Sequence, residues 1–508
     1  MAKYLVGIDE GTTGCKTCVF DLEGNIMGTD YREYPCYYPK VGWVEQRAED
    51  ITPALFESCK AAIQKSKVDP KDILAMGFSC QASIIGLLDE KGELIRPFIG
   101  WQDLRGGQDG MDYINRQIPR SDFYKLTGDP LGMCFSVTKL AWLKEHEPEN
   151  WEKTAMFSTH QDYFLKQFGA EDYYTDISSA SREGMFDIDN NKWAKELSDI
   201  LGIPDDKRPK VITEPGKIVG KISEKISVKT GLAVGTPICM GAQDINCCTL
   251  GAGGIEGGTA VMVLGTAGSS FVISDKSIRD PKGRLVVKGN HGLGNYTIEA
   301  YSNTAASSYR WYRDIFCDLE SAMAKVLGKD TYDIINEEIE SVPPGANGIT
   351  FLSYLQGASG SKMNTNARGV FLGMTLGTTK ADMARAVMEG ICYEMYDILL
   401  AQKESEVDFE GIRLTGGASK SPVWCQMMAD IFKEPIHLLQ TSETGCLGAA
   451  LYAGVGIGAY KSCKEAANIA VKIQKSYYPN PDNYEAYDQA YQQFIEVYEA
   501  LDQSVFKR

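Results

Sequence analysis

The first 28 residues read MAKYLVGIDEGTTGCKTCVFDLEGNIMG, and the architecture of the chain turns on how residues 11–17, GTTGCKT, are taken. A nucleotide-binding P-loop requires G-x-x-x-x-G-K-[ST] with glycine directly before lysine, whereas here Cys15 separates Gly14 from Lys16. The residues after the loop differ as well. A P-loop feeds a helix whose N-terminus holds phosphate, but residues 15–20 favour a strand and run into the turn signal Asp21-Leu22-Glu23-Gly24-Asn25. The spacing predicts a strand over 4–8, a turn at Gly11-Thr12-Thr13-Gly14, a strand over 16–20 and a third from Ile26. Asp9 then stands where the first strand ends, beside small residues whose amides and hydroxyls can point at one anion. That pairing suits a metal-bound polyphosphate; an ordinary glycine-rich hairpin reads the same at this level.

A chain of 508 residues exceeds what one hydrophobic core usually supports, so two domains are expected. With 52 Lys+Arg against 68 Asp+Glu, the net charge of -16 repels phosphate backbones and sets nucleic acid aside as a partner. No run of about 18 apolar residues marks a membrane span, and MAKYLVGID enters a strand without a signal-peptide layout, so no membrane partner and a cytoplasmic location are expected. The 14 cysteines are scattered singly, which suits free thiols. Cys15 and Cys18, three apart on a strand, face opposite sides and make a poor metal pair. None of the four histidines has metal-type spacing, so proton transfer falls to a carboxylate.

The opening pattern returns. Residues 259–274, TAVMVLGTAGSSFVIS, repeat strand, Gly-Thr-small-Gly turn and strand, with Gly265 matching Gly11 and Gly268 matching Gly14. The offset of 254 residues is half of 508, which implies two domains of similar topology rather than a solenoid. Val263 occupies the Asp9 position in the second copy, so only the first loop has a carboxylate for a metal. Helices are predicted over 48–63 and 382–400, and strands over 73–78 and 84–88. These elements imply two α/β domains with a cleft between them.

Seven segments, in order along almost the whole chain, resemble the FGGY carbohydrate kinases of the actin-like, ribonuclease-H-like ATPase superfamily: GIDEGTTGCK, GWVEQ, GFSCQASIIGLLDEKGELIRPFIGWQDLR, PICMGAQDINCCTLGAG, MVLGTAGSS, ARGVFLGM and RLTGGASKSPVWCQMMADIF. The resemblance implies two ribonuclease-H-like α/β domains facing across a cleft, with residues 1–250 binding sugar and 251–508 binding mainly nucleotide. It implies ATP and Mg²⁺ as cofactors, a small sugar or polyol as substrate, and a homodimer as the expected assembly.

Residue by residue, the resemblance places Asp9, Gly11, Thr12 and Thr13 at the ATP phosphates, with Asp9 at Mg²⁺ and Gly265-Thr266 as the second phosphate loop. Gly416, Gly417 and Ala418 fall beside adenosine; a strand-to-helix turn explains the glycine pair equally at the level of sequence. Asp244 falls at the family's catalytic carboxylate. Its chemistry is that of a base which accepts the proton of the attacking hydroxyl as phosphoryl transfer proceeds. The alternative is an N-cap for a helix starting near Asn246.

For the substrate, the resemblance points to Gln81, Ser83, Trp101, Asp103 and Asp244, with Trp101 packing beside the sugar or filling core. Two departures stand out. Ala82-Ser83 replaces the Arg-Glu of glycerol kinases and the Met-His of xylulose kinases, and Ala358-Ser359-Gly360-Ser361 replaces a glutamate-arginine stretch. These argue against glycerol and weaken plain D-xylulose. Residues 294–316 resemble kinases of autoinducer-2. The expected activity is ATP-dependent phosphorylation of a terminal hydroxyl of a ketopentose-like sugar or polyol. The rival expectations are a binding or regulatory protein of the same fold and an ATPase acting on a protein partner.

Overall fold

In the computed structural model, which describes residues 3–255, 257–292, 294, 296–360 and 362–507, the opening segment folds as a hairpin. Strand β1 (Tyr4–Glu10) pairs antiparallel with β2 (Gly14–Asp21), and β3 (Ile26–Glu33) extends the sheet beyond β2. Asp21 closes the turn to β3 by accepting from the Glu23 and Asn25 amides at 3.0 and 2.8 Å. On its other edge β1 takes β4 (Ile73–Cys80) in parallel, followed by parallel β6 (Pro237–Gln243) and antiparallel β5 (Ile218–Lys221). Helix α1 (Ala48–Ser66) buries Ile51, Leu55, Cys59 and Ala62 at helical spacing against β2 and β3. Helix α2 (Asp244–Gly251) leaves the end of β6.

The second sheet repeats this plan. Strand β7 (Ala260–Leu264) pairs antiparallel with β8 (Gly268–Ser274) and parallel with β11 (Ile412–Thr415), as β1 does with β2 and β4. Strands β9 (Val286–Gly289) and β10 (Tyr296–Ser302) continue beyond β8, and β12 (Ile436–Leu439) and β13 (Ile473–Tyr477) beyond β11. Helices α3 (Ala306–Phe316) and α4 (Lys380–Glu404) cover it, α4 starting at a capping box between Thr379 and Asp382. Only the strand expected over 84–88 shrinks, to Gly86–Leu88. Ser361, in the altered loop, lies outside the described residues.

One element joins the halves. Helix α5 (Thr444–Gly456) comes after β12 in the second half but packs on the first sheet, across β1, β4 and β6 and against α2. Its sequence, TGCLGAALYAGVG, is rich in glycine and alanine, and glycines lie on the surface beneath. A Cβ on Gly7 would stand 1.8 Å from the Cys446 carbonyl oxygen, and one on Gly77 1.9 Å from that of Ala449. Gly448 is pressed as closely on the Cys247 carbonyl, at 1.9 Å, and Gly251 on that of Thr444, at 2.0 Å. Helix and sheet therefore meet backbone to backbone. All 14 cysteines are free, and among the described residues no helix is long and apolar enough to cross a membrane.

Gly7→Ala should therefore destabilise the protein by at least ~2 kcal/mol, because a backbone carbonyl cannot yield as a side chain does. Gly107→Ala, in a helix where no atom lies within 4 Å of the added methyl, should be neutral or stabilising by up to about 1 kcal/mol. Urea unfolding of both variants checks the contrast.

Candidate active site

Parallel strands carry their C-terminal ends to one edge, and the register of the first sheet aligns the candidate residues there. Asp9 stands opposite Ser79 and Glu10 opposite Cys80 across β1 and β4, while Ala242 and Gln243 of β6 stand opposite Ser79 and Cys80. Asp244 is the next residue. Asp9 and Asp244 thus stand at the same sheet edge, at the ends of the two strands that flank β4, although 235 positions separate them in the sequence.

Helix α2 begins at Asp244, two residues earlier than expected, and Gln243 is its N-cap, accepting from the Ile245 amide at 3.0 Å. Asp244 is therefore not the cap, although its Oδ1 also accepts from the Ile245 amide, at 2.8 Å, and from the Gln243 side-chain amide. Both bonds fall on Oδ1, which leaves Oδ2 for a substrate. Burial, reinforced by the charge of Asp9, pushes the Asp244 carboxyl up to about 7, against the opposing pull of Arg182.

Asp9 is half-buried at the end of β1 and accepts from the Ser79 hydroxyl at 2.6 Å. Burial raises it to about 6, helped by Glu10 and Glu443 and opposed by Ser79. The second half reaches it directly: Lys16 pairs with Glu443 at 2.9 Å, and a Cβ on Gly445 would lie 2.7 Å from the Asp9 carboxylate. Glycine at 445 gives that carboxylate its room.

Beneath the first loop lies a network that no sequence motif announces. Glu10, fully buried, accepts from the Tyr34 hydroxyl (2.9 Å), the Gln81 amide (2.8 Å) and the Cys80 thiol (3.0 Å), and His160 Nδ1 lies 3.2 Å away. Burial alone would raise the Glu10 carboxyl, but the His160 charge and these hydrogen bonds outweigh it and hold it below its ordinary value. Tyr34 and Gln81 also donate to the Gly11 carbonyl at 2.5 and 2.9 Å, and the Thr12 hydroxyl donates to Gln81 at 3.1 Å. Thr13 is exposed at the tip of the loop.

The substrate assignments divide. Trp101 is 37% exposed and donates its indole N–H to the Thr12 hydroxyl at 3.0 Å, so it borders the loop rather than filling core. Ser83 is buried and donates to the Arg182 carbonyl at 2.5 Å. Gln81 is buried with both ends of its amide engaged on the loop. Asp103 is fully buried, bonded at 2.6 Å by the Val44 amide and at 2.8–2.9 Å by the Arg105 amide and guanidinium. Among the described residues, the polar atoms of both side chains are engaged by protein partners: Gln81 bonds the loop at Gly11 and Thr12, and Asp103 holds Arg105. Nothing in GWQDLR signals that the aspartate turns inward; the arginine two residues on is the only hint.

The second sheet offers the opposing surface. Gly265 follows β7 and Gly416 follows β11, whose register sets Val263 opposite Thr415 and so brings the two loops together. Gly416, at φ +92°, is packed so that a Cβ would lie 2.4 Å from the Leu264 carbonyl oxygen, and Ala418 is buried. Gly265 and Gly417 instead have no atom within 4 Å of where a Cβ would stand, which leaves backbone open to close approach. The Thr266 carbonyl is tied to α3 by the Ala305 and Ser307 amides and the Ser307 hydroxyl, the last at 2.7 Å.

Carboxylates thus gather at one sheet edge and open glycine backbone at another. Residues 4–251 match the N-terminal domain, and residues 260–457 the C-terminal domain, of the FGGY family of carbohydrate kinases. The chain is 32% identical to the gluconokinase of Bacillus subtilis over 89% of its own length and 87% of the relative's. It is 28% identical to the xylulose kinase of the same organism over 98% and 97% of the two chains. Crystal structures of ligand-bound xylulose kinase and of gluconate kinase from Lactobacillus acidophilus each superpose with a TM-score of 0.90 over 99% of both chains, at 27% and 28% identity. The chain belongs to the FGGY family of carbohydrate kinases, a class of ATP-dependent phosphotransferases that act on small sugars and polyols, and it has their two-domain α/β, actin-like fold.

If Asp103 holds Arg105 rather than a hydroxyl, Asp103→Ala should cost about 3–5 kcal/mol of stability by leaving a buried cation short of its partner. The KM for the sugar should hardly change in whatever fraction remains folded. A thermal melt alongside substrate titration separates the two.

Proposed function

We propose that the protein transfers the γ-phosphoryl group of ATP to the terminal hydroxyl of a ketopentose-like sugar or polyol, with Asp244 as general base. What supports this reading is Asp244, whose Oδ2 has no donor among the described residues, at the same strand-end edge as Asp9, together with the open backbone of Gly265 and Gly417 in the second half. As the hydroxyl oxygen bonds to phosphorus and the bond to ADP breaks, Asp244 accepts the proton; a carboxyl near 7 is matched to that task at neutral pH. Gly11, Thr12 and Thr13 would meet the phosphates from one side and Gly265 and Thr266 from the other, with Gly416, Gly417 and Ala418 beside adenosine.

Asp9 is the residue that would hold Mg²⁺. Ser79 engages its Oδ1 and glycine at 445 leaves room beside the carboxylate, which suits an ion held by one carboxylate and by phosphate oxygens. Bound there, Mg²⁺ supplies charge neutralisation of the transferring group. Residues 1–250 are read as the sugar-binding domain and 251–508 as the mainly nucleotide-binding one, with α5 crossing over to the former. Identity to gluconokinases favours a second reading in which the substrate is a sugar acid such as gluconate.

ADP release with at least one compound from a panel of pentuloses, pentitols, tetritols and D-gluconate is the expected result for the purified protein. No release with any of them would refute the reading. Asp244→Asn should lower kcat about 10²–10⁴-fold. The wild-type rate should fall on its acid side as pH drops through about 7, where the base becomes protonated, and the variant should lack that limb. Near-wild-type kcat in the variant would remove Asp244 from the mechanism. A linked effect has a defined sign: folding raises this carboxyl, so its ionised form opposes folding increasingly between about pH 4 and 7. Asp244→Asn should accordingly melt higher than wild type at pH 8 and about equally at pH 4.

A further inference from the structure

Four cations surround the segments that carry Ser83, Trp101 and Asp244. Lys139, fully buried, donates to the Ser83, Trp101 and Cys134 carbonyls at 3.3, 3.2 and 2.9 Å. Arg105 is held by Asp103 and, at 2.8 Å, by Glu45. Lys288 of β9, also buried, bonds the Ser181 carbonyl at 2.7 Å and pairs with Asp129. The fourth, Arg182, is the one whose side chain reaches the surface, at 13% exposure. It follows the short helix Ile177–Ser181, whose Ser178 hydroxyl accepts from the Gln243 amide at 3.0 Å, and so it lies one helical turn from the start of α2. The Arg182 carbonyl holds Ser83. Its guanidinium donates to Glu299, which comes from β10 in the other half.

Glu299 is 2% exposed, and its second oxygen, Oε1, is buried without a hydrogen-bond partner. Such an atom is destabilising in itself, so strand stability does not account for the residue. Its effect on the cleft is electrostatic: it pairs with Arg182, a cation that reaches the surface and whose charge acts on Asp244. A sugar acid entering the cleft must give up the hydration of its carboxylate and needs a cation in return, while Asp9 and Asp244 repel it. A neutral polyol meets no such penalty. We infer that Glu299 is a specificity-determining residue which, by neutralising Arg182 from the opposite half, makes the site take a neutral sugar or polyol and reject a sugar acid. The inference rests on the kinase reading of the cleft, and it separates this chain from relatives named gluconokinase despite their higher identity. Discrimination here works by denying the wrong substrate its partner.

The test measures binding by calorimetry without nucleotide, so that it does not depend on turnover. D-xylulose, ribitol and D-gluconate are titrated into the full-length wild type, Glu299→Gln, Arg182→Gln and the double variant. The wild type should bind a neutral compound at least about 100-fold more tightly than gluconate. Glu299→Gln, which frees the guanidinium, should tighten gluconate by about tenfold or more while the neutral compound changes by about threefold or less. The double variant should lose that gain. Wild-type gluconate affinity equal to or above that for the neutral compounds would overturn the inference, as would a folded Glu299→Gln without the gain. Should Glu299→Gln not fold, the wild type and Arg182→Gln still decide, since Arg182→Gln must weaken gluconate further if the guanidinium is its only prospective partner. Failure of every compound to yield ADP, with this binding pattern intact, would count against the kinase reading and not against the specificity.

Discussion

Backbone contact between α5 and the first sheet is the constraint on which the arrangement of this protein depends. The second half contributes a helix that lies on β1 and β4 so closely that Gly7 and Gly77 admit no side chain. Contact at that distance has no slack, because the opposing atoms are carbonyls of a helix and not side chains that can turn aside. It fixes where the helix begins, and the helix begins at the catalytic edge. Glu443 and Gly445 stand beside Lys16 and Asp9 because Cys446 and Ala449 are seated on glycines. One part of the interface between the halves and the surroundings of Asp9 are therefore made by the same element.

The electrostatics of the site arise from burial more than from composition. A chain with net charge -16 could present any number of carboxylates, yet those that matter sit at strand ends, where desolvation raises Asp9 to about 6 and Asp244 to about 7. Glu10, adjacent to Asp9 but turned to the other face of β1, is held below its ordinary value by His160 and its donors. Two neighbouring residues of one strand thus have opposite shifts, since successive side chains of a strand enter different surroundings. One is available to a cation or a proton; the other is a fixed anion that shapes the loop through Tyr34 and Gln81.

What could be read in the sequence was what local spacing encodes. The missing glycine before Lys16 excluded a P-loop, the alternation over 4–20 gave the hairpin, and the offset of 254 residues gave the duplicated sheet. Asp9 could be placed at a strand end from local spacing, whereas Asp244 was singled out by the family resemblance. The direction of Gln81 and Asp103 was not legible, because a polar residue near a motif reads the same whether it faces ligand or protein. The cap of α2 lies one residue from its expected place, at Gln243 instead of Asp244, for a similar reason: a glutamine rarely caps, and an aspartate stands beside it. The pairing of Arg182 with Glu299 spans 117 positions and two sheets, and no periodicity in either segment announces it.

The duplication also shows how the two loops come to offer different groups. In the aligned hairpins, Asp9-Glu10-Gly11 of the first corresponds to Val263-Leu264-Gly265 of the second. The first strand ends in two carboxylates, one half-buried beside the cleft and one committed to the network under the loop. The second ends in apolar side chains: Leu264 lies in the core of its half, and its carbonyl backs the turn at Gly416. A loop on charged supports can manage cations and protons, but its carboxylates would repel a polyphosphate brought close without a metal. A loop on apolar supports has only backbone and hydroxyl groups to offer, which is what a phosphate chain requires of the surface against which it lies. Two identical loops would rest either both on carboxylates or both on apolar side chains. Divergence at positions 9 and 263, and at 10 and 264, avoids both outcomes while leaving the strand register, and hence the geometry of the cleft, unchanged.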